Sequence, residues 1–121
     1  MPRHPDIEIY VKNASVESIR SWLEQCFGEL PPFKKRGDSQ HAKVQGIPIV
    51  IVERAAGKEF TSIWFDSAAT PWETDLDCAK EASKMLSCQV RCIRSGWEEQ
   101  QDPDEWWKVD GDEVTAILWK G

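Results

Sequence analysis

The residues best suited to binding chemistry lie in an acidic, tryptophan-rich stretch of the second half of the sequence. It comprises Trp97, Glu98, Glu99, Asp102, Asp104, Glu105, Trp106 and Trp107. Clustered carboxylates attract a basic protein and speed its association at low salt, and tryptophan is enriched at the energetic centres of protein interfaces. If Trp106 and Trp107 lie in a strand, they point to opposite faces, which leaves one of them away from the core. The stretch therefore predicts a surface that binds a basic protein.

A second group of carboxylates lies in the segment from Thr70 to Asp77. Loop carboxylates suit a hard cation such as Ca²⁺, but the spacing here lacks the central glycine of a calcium loop. Capping and the helix dipole are sufficient to explain the acidic residues, so we predict no metal site. An alternative prediction is a ligand pocket between a sheet and this segment, lined by Trp64, Trp72 and Asp75.

The residue types of nucleophilic catalysis occur without the spacing that catalysis requires. The four cysteines fall at apolar positions of helix or strand patterns, and no C-x-x-C pair or metal-binding histidine spacing is present. His41 has no nucleophile motif beside it, and no phosphate loop or dinucleotide fingerprint occurs. We therefore predict buried, reduced thiols in a cytoplasmic protein, with no catalytic residue and no cofactor. The cysteines are Cys26, Cys78, Cys88 and Cys92.

Alternation and capping signals place these residues on strands and helices. Ile7 to Lys12 alternates as a half-buried strand, and Ser15 is a helix N-cap that precedes an apolar stripe ending before Gly28. A basic loop, Lys34-Lys35-Arg36, then leads to a long extended segment at 41–54. The later elements are a strand at 60–65, a helix capped by Thr74, a strand at 88–94 and a hairpin closed by Asp110-Gly111.

This order is β-α-β-β-α-β with an added C-terminal hairpin. It predicts an α+β two-layer sandwich of the ferredoxin-like kind, in which two helices cover one face of an antiparallel sheet. At 121 residues and 13.9 kDa the chain fits one domain spanning residues 1–121, with a tail at 1–6 and an acidic loop at 97–104. The uncovered face of such a sheet offers a surface for a homodimer.

Charge separates the two halves of the sequence. Residues 1–60 carry nine basic and eight acidic side chains, whereas residues 61–121 carry six basic and thirteen acidic ones, which gives a net charge of −6. An acidic chain argues against a nucleic-acid binder, since phosphate affinity rests on Lys and Arg. No apolar run reaches the length of a membrane helix, and the first residues lack a secretory signal, so we predict a cytoplasmic chain without a membrane partner.

These observations favour a small, non-enzymatic, acidic binding protein with a basic protein as its partner. In composition the chain resembles the immunity partners of bacterial toxins, which mask basic and often nuclease surfaces, and this resemblance implies an inhibitor-like role. The alternative is a small-molecule-binding or sensing domain with the tryptophan-lined pocket described above. An enzyme of unknown class is the third prediction.

Overall fold

An eight-stranded antiparallel sheet dominates the computed structural model, which describes residues 6–93 and 105–119. The strands lie in the spatial order β2-β3-β4-β5-β1-β6-β7-β8. Two helices pack on one face of the sheet. In chain order the elements are β1 (Ile7–Lys12), α1 (Val16–Phe27), β2 (Lys34–Arg36), β3 (Ser39–Val44), β4 (Ile47–Ala56), β5 (Phe60–Phe65), α2 (Asp75–Leu86), β6 (Gln89–Ile93), β7 (Glu105–Asp110) and β8 (Glu113–Leu118).

The predicted ferredoxin-like β-α-β-β-α-β arrangement is wrong, because four strands rather than two separate the helices and the fold is largely β. The segment predicted as a basic loop forms β2, which pairs with β3. The long extended segment folds back on itself at Gln45 and Gly46, both of which have positive φ. Glycine adopts this conformation at little cost, and the Gln45 side-chain amide donates a hydrogen bond to the Phe27 carbonyl at the end of α1. The reversal of the chain at Gln45 and Gly46 therefore makes the β3–β4 hairpin.

Both helices begin where the capping signals predict. The Ser15 hydroxyl accepts from the Ser18 backbone N–H at 3.1 Å, and the Thr74 hydroxyl accepts from the Asp77 N–H at 3.2 Å. Gly28 ends α1 with a φ of 84°, and its N–H donates to the Glu24 carbonyl. Within residues 6–93 and 105–119, neither twelve-residue helix is long and apolar enough to cross a membrane.

The core lies between the helices and one face of the sheet. Alternation in β1 buries Ile7, Ile9 and Val11 completely. An aromatic group joins the sheet to α1, because Trp22, Phe65 and Trp72 pack with ring centroids 5.1–6.4 Å apart. Burying each such side chain contributes about 1.5–3 kcal/mol, so this layer supplies much of the driving force for folding.

The C-terminal hairpin extends the sheet beyond β6. β7 pairs with β6 on one side and with β8 on the other, and Gly111 takes a φ of 64° at the first central position of the two-residue turn. A glycine there suits a type II′ turn, whose twist matches that of the strands. Alternation along β7 directs Trp107 to the core and Trp106 to the opposite face. The two adjacent indoles therefore lie on different faces, as the sequence predicts.

Candidate functional site

The face of the sheet opposite the helices, here called the open face, carries a cluster of aromatic rings. Tyr10 and Trp106 meet edge to face at 5.5 Å between ring centroids. Trp119, directly after β8, packs against Tyr10 at 5.6 Å, Trp106 at 4.9 Å and Phe60 at 4.9 Å. The indole N–H of Trp106 is buried and has no hydrogen-bond partner in the described part of the chain. The open face is therefore a second apolar layer.

Arg91 fills the space between two of these rings. Its guanidinium lies 4.8 Å from the centroid of Phe60 and 4.7 Å from that of Trp119, and its Nε donates to the Gln89 side-chain oxygen at 3.0 Å. Burial lowers the pKa of Arg91, and the nearby Glu59 charge opposes this shift. A cation over an aromatic face is attracted by the ring quadrupole, so Arg91 holds Trp119 onto the sheet.

Asp6 and Glu8 lie beside Trp64 at one end of the open face, and the buried carboxylate of Asp75 acts on Glu8 through its charge. We call Asp6, Glu8, Asp75 and Trp64 the acidic corner. The Trp64 indole N–H donates to Asp6 at 2.8 Å, and the Tyr10 hydroxyl donates to Glu8 at 3.4 Å. Burial raises the pKa of Glu8, the hydrogen bond from Tyr10 partly offsets this, and the charges of Asp75 and Asp6 raise it further. The acidic corner therefore holds several carboxylates where burial and mutual repulsion disfavour the charged form of Glu8.

The acidic corner lies at the end of the sheet where β6 ends and β7 begins. Glu8 faces Trp64 across β1 and β5. On the other side of β1, Tyr10 faces Arg91, and the same antiparallel register carries Ile93 alongside Glu8. Ile93 in turn pairs with Trp106 next to Glu105. The two described residues that flank segment 94–104 therefore lie at the same end of the sheet as the acidic corner.

Of the predicted partner-binding residues, the structure describes two. Trp106 belongs to the aromatic cluster of the open face, and Trp107 packs partly buried against the core. The remaining five, Trp97, Glu98, Glu99, Asp102 and Asp104, lie outside the described residues. Two residues of the acidic corner, Trp64 and Asp75, were predicted to line the alternative ligand pocket, whereas Asp6 and Glu8 were not predicted as site residues. Alternation in β1 places Glu8 away from the core, but only the strand order brings it near Asp75.

The structure places the residues predicted to line the alternative ligand pocket in different surroundings. Trp72 is 6% exposed and packs in the core, where its indole N–H donates to Glu81 at 3.2 Å. Trp64 lies on the open face, so the sheet separates the two indoles. Asp75 is buried at the start of α2. Trp64 and Trp72 therefore lie on opposite faces of the sheet, because the segment containing Trp72 packs on the helix-covered side.

A cavity of about 350 Å³ occurs elsewhere, near the β2 edge of the sheet. Lys34, His41 and Lys43 line it together with Pro31, Pro32 and Pro48. The His41 Nε2 atom lies 3.0 Å from the Ser39 hydroxyl oxygen. Within the described ranges, no group of three residues is placed to hold a metal ion.

The environment of the cysteines disfavours the thiolate form. Burial raises the pKa of Cys26 to about 12, and its hydrogen bond to Glu81 adds to the shift. Burial likewise raises the pKa values of Cys78, Cys88 and Cys92. All four are free thiols. Because the thiolate is the nucleophile, none of them is activated for catalysis at neutral pH.

Comparison with known proteins gives no further guide to the chemistry. No family model, no curated protein and no solved structure matches this chain. The function must therefore be inferred from the residues of the open face and the acidic corner themselves.

Proposed function

We propose that this protein is a non-enzymatic binding protein of the cytoplasm that holds a basic protein partner on its acidic surface, in the manner of an immunity or inhibitor protein. The observation that supports this proposal is the acidic corner. Burial and the charges of Asp75 and Asp6 raise the pKa of half-buried Glu8, and Asp6 accepts a hydrogen bond from Trp64. The charged form of Glu8 therefore reduces the stability of the folded protein.

A partner's Lys or Arg side chain would reverse that penalty. A cation placed beside Glu8 and Asp6 favours their charged forms, and the face of Trp64 adds a cation–π contact. Residues that reduce stability are characteristic of binding and catalytic sites. The acidic corner therefore has the chemistry of a receptor for a basic side chain.

The distribution of charge along the chain supports the same partner. Residues 61–121 contain thirteen of the 21 acidic side chains, and the described residues that flank the acidic stretch lie at the acidic corner. A concentrated field of one sign accelerates encounter with a partner of opposite charge. The four free thiols suit a reducing compartment such as the cytoplasm.

Charge-reversal variants test the proposal. In the first, Glu98, Glu99, Asp102 and Asp104 are replaced by Lys. In the matched control, four acidic residues distant from the acidic corner are replaced by Lys, so that net charge changes equally: Glu17, Glu24, Glu29 and Glu53. Each tagged protein is used for affinity capture from native lysate with stepwise salt washes. We expect one basic protein that wild type and control retain and the first variant loses.

The purified pair then provides the decisive measurement. By titration calorimetry, reversal in the acidic stretch should weaken binding by about tenfold or more and flatten its dependence on salt. Glu8→Gln should weaken binding at neutral pH and reduce its loss at acid pH, whereas the matched Glu24→Gln should do neither. Binding that does not change with salt, or that falls equally in both reversal variants, would contradict the proposal.

A further inference from the structure

The two edges of the sheet are protected very differently. β2, at one edge, presents Lys34, Lys35 and Arg36, all exposed. Successive lysines on an edge strand prevent another strand from pairing there. β8, at the other edge, has no charged residue from Val114 to Leu118, and five of its six residues are exposed. Within residues 6–93 and 105–119, the β8 edge is therefore the one that is open to a further strand.

The geometry of the hairpin determines which backbone groups of β8 are free. Asp110 and Glu113 face each other across the two-residue turn, and such a closing pair is hydrogen-bonded in both directions. Because the pattern alternates, Thr115 and Ile117 also bond to β7. The backbone N–H and C=O groups of Val114, Ala116 and Leu118 then point to the free edge. The side chains of Val114 and Leu118 are 36% and 71% exposed.

We propose that β8 is the interface of a two-fold homodimer, in which the β8 strands of two copies pair antiparallel about Ala116. In this register, Val114 of one copy lies opposite Leu118 of the other. Both exposed apolar side chains are covered, and the three residues with free backbone groups on each copy bond to their counterparts. This proposal does not depend on the proposed function.

The pairing of apolar side chains favours this register over the neighbouring one. With Ala116 at the two-fold axis, Glu113 lies opposite Trp119 of the second copy, so no two carboxylates face each other. With Thr115 at the axis, Leu118 would lie opposite Asp112, and Val114 would lie opposite Ala116. A two-fold pairing also closes on itself, whereas pairing of β8 with the β2 edge of another copy would give an open chain of molecules. The edge is a different surface from the open face, where the sequence suggested a homodimer.

Sedimentation velocity from roughly 1 to 500 µM protein tests the proposal. We expect the mass to rise with concentration from 13.9 kDa towards twice that value. Ala116→Pro removes an N–H that only the dimer uses, so it leaves the hairpin intact and should raise the dimer dissociation constant by about tenfold or more. Leu118→Lys should do the same by placing a charge on the edge. Lys35→Thr, at the opposite edge, is the matched control and should change nothing.

A cross-link identifies the register. Directly opposed, hydrogen-bonded residues have Cα atoms about 5.5 Å apart, within the span of a disulfide. Ala116→Cys should therefore form a disulfide-linked dimer on oxidation, whereas wild type and Lys35→Cys should not. A monomer at every concentration, polymers in place of dimers, or a dimer unaffected by both Ala116→Pro and Leu118→Lys would overturn the proposal.

Discussion

The contact of Arg91 with two aromatic rings should make a measurable contribution to stability. The guanidinium is 4.8 Å from Phe60 and 4.7 Å from Trp119, inside the distance of about 6 Å at which cation–π attraction is significant. Each contact contributes about 0.5–1 kcal/mol at a partly exposed site. Arg91→Met keeps an apolar stem of similar length and removes the cation. We expect it to lower the free energy of unfolding by about 1–2 kcal/mol.

Urea unfolding followed by far-UV circular dichroism measures this change. The expected loss shifts the midpoint by roughly 0.5–1 M urea. Lys80→Met, on the exposed side of α2, removes a charge without a ring contact and should stay within about 0.5 kcal/mol of wild type.

A double-mutant cycle separates the ring contact from other effects of the substitution. With Trp119→Leu as the second variant, the coupling energy between Arg91 and Trp119 should be about 0.5–1 kcal/mol. If the two losses simply add, or if Arg91→Met costs no more than Lys80→Met, then Arg91 does not hold Trp119 on the open face. The interpretation of this face as a second apolar layer would then be wrong.

Three further predictions concern the carboxylate, the core and the thiols. The folded-state pKa of Glu8 is raised, so the folded protein loses stability as pH rises through that pKa. Glu8→Gln should therefore raise the melting temperature at about pH 7 and not at about pH 3. An equal gain at both pH values would contradict this prediction. Trp72→Ala should cost about 3–5 kcal/mol in urea unfolding, and a loss under about 1 kcal/mol would exclude a core position. At about pH 8, Cys26 and Cys78 should react with a thiol reagent at least a hundredfold more slowly in the folded protein than in urea; fast labelling would show an accessible thiolate.

Local signals in the sequence were sufficient where structure depends on near neighbours. Ser15 and Thr74 cap helices because each hydroxyl needs only an N–H three residues later. The predicted hairpin forms, although Asp110 pairs with Glu113 and the two-residue loop is Gly111-Asp112 rather than Asp110-Gly111. Alternation along β5 also placed Trp64 and Phe65 on opposite faces.

Features that depend on distant residues could not be predicted in this way. β2 contains three adjacent cations, a pattern typical of a solvated loop, and becomes a strand because β3 offers an edge with which to pair. Trp72 lies in a segment whose own residues do not determine which side of the sheet it covers. Asp75 acts on Glu8 only because the fold places the start of α2 near the start of β1. The fold class and the acidic corner both depend on such contacts.

The position of β1 in the sheet has a consequence for how the chain folds. β1 precedes every other described strand in the sequence, yet it pairs with β5 and β6, as in the pairs Ile7–Phe65 and Tyr10–Arg91. Such long-range pairing slows folding, because loop closure precedes the contacts that stabilise it. On the ribosome, the alternating apolar residues of β1 must wait until residues beyond Ile93 have emerged. Of the described strands, β1 is therefore the one that a nascent chain leaves unpaired longest, and its alternating apolar residues are a segment that a chaperone would bind during synthesis.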